Sequence, residues 1–384
     1  MPYRSFDCNY NARKPKSPFG KIWNGEKSMP NDISAEHFKL FTENEFFHLP
    51  MRWGGEDFYQ TTENLFNAYL KKVKLVIDTN GYDYIAQICC GLKESISNYF
   101  CGFPERAFHS FTSVMCLLMR EPLKVYQKSG WTKPFFDGHD PLRLYRVRNV
   151  QQNNLYFRQN IFHTPYNLRS KVPACRYSIA GYPSLYLGTS LGLCCEECQR
   201  GSFDDLQIAS RFELVRDSQY NVSDIHVIEL AVKPQDFIEQ RKVNNTTQFR
   251  RLFDELDLQS SLTRSNYLCW YPLIVVCSYM RVSKRDPFAA EYIIPQLLMQ
   301  WVREQSKRNE LYGIRYFSCA SSKASDMGFN YVFPVSGKKS NENPEFCDIL
   351  SKSFRLTSPQ YLHEFERILN CEYILDTDCE LDYV

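Results

Sequence analysis

Two hydrophobic periods divide the chain. Between about residues 33 and 128 apolar positions recur at intervals of three and four. Leu65, Phe66, Tyr69, Leu70 and Val73 form one stripe, and Phe108, Phe111, Met115 and Leu118 form another, the spacing of amphipathic helices. Pro104 followed by Glu105 predicts a helix start, because the missing proline amide has no helical partner there and the acid suits the positive end of the dipole. From residue 142 the period shortens to two. Leu142 to Val150 (LRLYRVRNV), Ser184 to Leu187, Phe212 to Val215, Ile225 to Val232, Tyr312 to Cys319 and Phe329 to Val335 read as strands. Trp270 to Tyr279 is an apolar run that calls for burial, and Tyr292 to Trp301 begins a helix that tolerates Pro295 in its first turn. Leu356 to Leu369 (LTSPQYLHEFERIL) reads as one capped helix. Helices followed by mixed strands and helices predict an α+β protein.

The 384 residues suggest two domains, and 43% hydrophobic residues are enough for real cores. Residues 1–30 carry Arg13, Lys14, Lys16, Lys21 and Lys27 among prolines and glycines, the composition of a flexible basic tail. A helical accessory domain is expected over 31–130 and a second domain over 131–384, joined by the Pro/Gly-bearing Trp131 to Asp140. Asn244 to Gln259 reads as a polar surface insertion and DTDCELDYV as an acidic tail. A net charge of +2 supplies no field for nucleic acid, so none is expected as a partner. No apolar run reaches the length of a bilayer and MPYRSFDCNY lacks the apolar core of a signal peptide, so the expectation is a cytoplasmic chain with no membrane contact. The 15 cysteines are scattered through apolar segments, as reduced buried thiols are. Only Cys195 and Cys198 make a C-x-x-C, with no second pair at zinc spacing, and no metal is expected. P-loop, G-x-G-x-x-G and H-E-x-x-H motifs are missing.

The stretch from Arg176 to Cys198 has the layout of a site. Gly181 and Pro183 mark a turn, Ser184 to Leu187 a strand, Gly188 its break, and Ser190 the N-cap of a helix beginning near Leu191. At about 100° per residue, Leu191, Cys194, Cys195 and Cys198 share an apolar stripe. Glu197 lies at its edge, looking past the core into a cleft, while Glu196 turns to solvent. On the strand LRLYRVRNV, Arg146 shares a face with Leu142 and Leu144, so it needs an anionic partner, either a structural carboxylate or a phosphate.

The order LYR, FH.P, RYS..G.P.LYLG.S......E and GIRYFS resembles the RES domain, named for an Arg, a Glu and a Ser, over roughly residues 140–335. Cys194 and Cys195 depart from the small residues more usual in that family. The resemblance implies an ADP-ribosyltransferase-like fold, a mixed or antiparallel β core with flanking helices, here preceded by a small all-α domain. It implies NAD as substrate, with no cofactor, and cleavage of the bond between nicotinamide and ribose. Glu197, Arg146 and Ser318 fall on the catalytic positions. Arg176, Tyr177, Tyr186, His163 and Tyr145 fall around the nucleotide pocket. It also implies a toxin held inactive by an antitoxin or other regulatory protein; a second copy of the chain is a further expected partner. The acceptor, whether water, phosphate or a protein side chain, stays open. Two rivals remain at this level: a non-catalytic interaction protein on the same scaffold, and a ribonuclease. Some helical domains resembling HEPN proteins cleave RNA with an Arg and a His four to six residues apart. Arg106 and His109 are too close for that, leaving Arg158 and His163, and His109 is expected in the core or at its boundary.

Overall fold

A computed structural model describes residues 33–42, 47–120, 143–150, 157–198, 206–214, 224–238, 261–283, 285–305, 310–337, 339–340 and 344–364. The expected basic tail, the Trp131 to Asp140 linker, the polar insertion and the acidic tail lie outside these residues.

The molecule is a mixed sheet flanked by helices. The described residues begin with four helices, α1 (Ala35–Thr42), α2 (Phe58–Val73), α3 (Thr79–Phe100) and α4 (Pro104–Leu118). The periodic residues behave as expected: Leu65, Phe66, Tyr69 and Val73 are buried on α2, and Phe111, Met115 and Leu118 on α4. Asp57 caps α2 by accepting from the Gln60 amide, and Pro104 opens α4 with Glu105 in its first turn. His109 is exposed, contrary to expectation, because it sits on the face of α4 opposite Phe111 and Met115.

Eight strands follow among the described residues: β1 (Arg143–Val150), β2 (Ser184–Gly188), β3 (Leu206–Leu214), β4 (Asp224–Leu230), β5 (Glu310–Phe317), β6 (Phe329–Pro334), β7 (Phe354–Leu356) and β8 (Gln360–Tyr361). Their order is β4-β5-β6-β2-β1-β3-β7, with β8 also on β3. Only the β4–β5 pair is parallel among these ladders. Between the strands lie α5 (Arg158–Ile161), α6 (Leu191–Cys198), α7 (Ser261–Val276), α8 (Ile293–Gln305) and α9 (Asp348–Ser353).

Two expectations are corrected. β3 starts at Leu206, well before Phe212. The stretch expected as a helix from Leu356 instead ends β7, forms β8 and turns helical only from Leu362. The open edge of β3 takes it up: Phe212 pairs with Leu356, Ile208 with Tyr361, and Thr357 exchanges bonds with the Arg211 backbone. Tertiary pairing overrides local propensity here.

The helices α1–α4 share their core with the C-terminal half. Tyr69 Oη donates to the Leu268 carbonyl at 2.6 Å, and Phe38, Phe41, Phe47, Tyr69, Phe237, Tyr267 and Tyr271 form one aromatic cluster. α8 lies between α3 and α4 on one side and β5 and β6 on the other. The segment after α7 is tied to the N-terminal half by Met51, whose amide donates to Ser278 and whose carbonyl accepts from Met280.

The sheet parts between its central strands. β1 and β3 pair along their length, from Arg143 opposite Glu213 to Val150 opposite Leu206, whereas β1 and β2 meet only at Tyr145 and Gly188. The opening carries the site.

Candidate active site

The turn, strand and helix expected around Gly181 are present. Gly181 has φ +77°, a left-handed conformation that suits glycine, and Ser190 caps α6 by accepting from the Leu193 amide. Gly188 is required by proximity, since a Cβ there would lie 2.6 Å from Cys194 Sγ. Leu191, Cys194, Cys195 and Cys198 pack on a small cluster with Tyr145, Val147 and Ala209, but the most buried residue of α6 is Leu193, on a second face. Burial on both sides fixes the helix, and the helix fixes Glu197.

Glu197 lines a cavity of about 560 Å³ at the parting of β1 and β2. Ser318 Oγ and Asn330 Nδ2 both donate to its Oε1, each at 2.6 Å. Its Oε2 receives no donor from the described residues. Glu196 points elsewhere and pairs with Lys323 at 3.0 Å. Ser318 lies at the end of β5 and is fully buried; it also accepts from the Ala320 amide, so its hydroxyl is committed to Glu197 rather than to the cavity.

Arg146 enters the cavity half-buried and donates to the Tyr186 carbonyl at 3.1 Å, across the gap that β1 and β2 leave. No carboxylate among the described residues pairs with it, and its Nε is buried without a hydrogen-bond partner. Of the two partners the sequence left open, the structural carboxylate is not found among the described residues. Arg148, two residues on, lines the same wall and donates to the Asn160 carbonyl. Burial pushes both guanidiniums below their ordinary range, and at Arg148 the charge of Arg146 adds to it. Arg176 is buried, held by the Cys277 and Tyr279 carbonyls at 2.9 and 2.7 Å. Arg281 completes the cationic lining.

Tyr186, Tyr292 and Tyr316 are the aromatic walls. Tyr186 is anchored by Ser178, their hydroxyls 2.8 Å apart, and burial holds its phenol well above the ordinary value. Cys175, Cys194, Cys198 and Cys319 add thiols whose pKa burial raises, which keeps them neutral.

Three expected pocket residues are not brought to the cavity. Tyr177 is fully buried and packs behind Tyr316, ring centroids 4.7 Å apart. Tyr145 points into the small cluster under α6. His163 is fully buried with both ring nitrogens used: Nδ1 donates to the Thr164 carbonyl and Nε2 accepts from the Cys347 amide. Burial lowers its pKa to about 4, so it is neutral and sealed, and no Arg158–His163 ribonuclease pair is formed. Sequence reasoning missed Asn330, Arg148, Arg281 and Tyr292. The period of two that placed Arg146 also places Arg148; nothing local marks the others.

No helix among the described residues is long and apolar enough to cross a membrane. No family model matches the chain, and no solved structure matches it. The chain is similar to a protein of Bacillus subtilis (strain 168) named "Putative toxin YopC", at 25% identity over 328 residues that cover 82% of this chain and 68% of the relative.

Proposed function

We propose that this chain is a toxin-type enzyme that cleaves NAD between nicotinamide and ribose. The observation that carries the reading is Glu197, held through one oxygen by Ser318 and Asn330 beside an arginine-lined cavity. The resemblance to RES domains and the printed name of the Bacillus relative favour the same direction.

In this reading the bond from ribose C1′ to the nicotinamide nitrogen breaks, and its electron pair neutralises the pyridinium. Positive charge develops over C1′ and the ring oxygen. Glu197 opposes that charge and accepts from a ribose hydroxyl through Oε2, an interaction that strengthens as charge grows. Ser318 and Asn330 fix the carboxylate in advance. Arg146 and Arg148 meet the pyrophosphate with free N–H groups. Tyr186, Tyr292 and Tyr316 enclose the rings. The acceptor oxygen bonds to C1′ and gives up its proton, water giving a glycohydrolase and inorganic phosphate a phosphorylase. Transfer to a protein side chain is the alternative outcome of the same site.

The test is nicotinamide release by the full chain, with and without phosphate, beside Glu197→Gln. Release that falls by about 100-fold or more in the variant supports the reading. A folded protein that releases none under either condition would move the assignment to protein ADP-ribosylation or to an interaction module.

A further inference from the structure

Among the described residues four guanidiniums line the cavity, those of Arg146, Arg148, Arg176 and Arg281, against the single carboxylate of Glu197. They form two groups. Arg146 and Arg148 share one strand, while Arg176 and Arg281 converge on Tyr292, their guanidinium carbons 5.1 and 5.3 Å from its ring centroid. The second pair is rigidly built. Arg176 is held by the Cys277 and Tyr279 carbonyls, and Arg281 donates through Nε and NH2 to the Ser283 and Asp286 carbonyls, both at 2.7 Å.

Carbonyl oxygens satisfy donors without cancelling charge, and burying a positive charge is costly unless an anion accompanies it. Neither arginine has a carboxylate partner among the described residues. The acids that follow Arg281 along the chain do not line the cavity: Asp286 meets Arg281 through its backbone carbonyl and is exposed, and Glu291 is buried and accepts from the Val282 amide. A dinucleotide pyrophosphate carries two negative charges, which Arg146 and Arg148 match, so NAD leaves the second pair unanswered.

We propose that Arg176 and Arg281, converging on Tyr292, form a second anion subsite that takes a tetrahedral phosphate in addition to the pyrophosphate. This rests on the dinucleotide reading above. The phosphate is carried by the dinucleotide itself, as the 2′-phosphate of NADP, or arrives as the free ion. Arg281 is the discriminating residue, because it comes from the loop after α7 and not from α6 or β1, which carry Glu197 and Arg146.

The experiment is ligand-dependent melting of the full chain, wild type, Arg281→Gln and Arg281→Lys, with inorganic phosphate, NAD, NADP, and NAD with phosphate at constant ionic strength. Nicotinamide release is followed in parallel, and the ligand-free melting temperature checks that each variant is folded. NADP half-saturating at a concentration about 10-fold or more below NAD, with the gap closing in Arg281→Gln and largely retained in Arg281→Lys, places the phosphate on the dinucleotide. Equal binding of NAD and NADP, with free phosphate tightening NAD through Arg281, assigns the free ion. NAD bound as well as NADP, unaffected by phosphate, overturns the subsite, as does a preference that survives Arg281→Gln. Phosphate that stabilises the wild type but not Arg281→Gln, with neither dinucleotide bound or cleaved, keeps the subsite and removes the NAD-cleaving function.

Discussion

Glu197 receives both local donors on one oxygen, so losing either donor lets the carboxylate turn without altering its charge. Ser318 is sealed from the cavity and acts on ligand only through Glu197. Ser318→Ala should therefore lower kcat by about 10- to 100-fold, the worth of a hydrogen bond to a charged group, while KM for NAD changes far less. A rise in KM with kcat intact would instead put the hydroxyl on the substrate. Asn330 offers a sharper probe. Asn330→Asp sets a second carboxyl against Glu197, and two carboxylates in contact share a proton. The acid limb of the pH–rate profile should move upward, so that activity lost at neutral pH returns in part on the alkaline side; an unshifted profile would show that Asn330 does not touch the working carboxylate.

At the scale of elements, the site depends on how closely α6 approaches β2. Gly188→Ala places a methyl group 2.6 Å from Cys194 Sγ and should displace α6, lowering both melting temperature and activity. Adding Cys194→Ala removes the obstructing sulfur, and the double variant should recover much of the activity; no recovery would mean that the strain lies elsewhere. These elements were legible in the sequence because each has a short-range signal. The alternation through Arg146, the serine cap at Ser190 and the helical angle that selects Glu197 over Glu196 all act within a few residues. Other parts had no such signal. Arg281 reaches the cavity from a loop whose spacing has no period, Tyr292 does so from the helical turn just before α8, where the helical pattern marks burial but not a cavity, and Asn330 is one polar residue inside an otherwise apolar strand. β7 and β8 were masked by a helix-like composition that only the edge of β3 overrules. His163, Tyr145 and Tyr177 sat in the right motifs, yet burial decided their roles, and burial is a property of the whole fold.

At the scale of the molecule, His163 couples stability to pH. Its folded pKa of about 4 lies below the ordinary 6.5, because burial disfavours the charged ring and the Cys347 amide needs Nε2 as an acceptor. Between those values the unfolded chain binds the extra proton, so this contribution is complete above pH 6.5 and is lost as pH falls towards 4. The loss amounts to about 3 kcal/mol. Denaturant midpoints across that window should fall in the wild type and flatten in His163→Asn; parallel slopes would assign the acid sensitivity to other groups. The pairing of Met51 with Ser278 and Met280 has a different consequence. The carbonyls of Cys277 and Tyr279 that hold Arg176 belong to the same short run, which therefore stands braced between the first helices and the cavity. Residues 143–384 produced alone should release no nicotinamide, and supplying residues 1–120 in trans should restore release; a fragment working at the full rate would show the brace to be dispensable. Removal of the leading helices would thus unseat the anchor of Arg176 while leaving every described cavity residue in the chain.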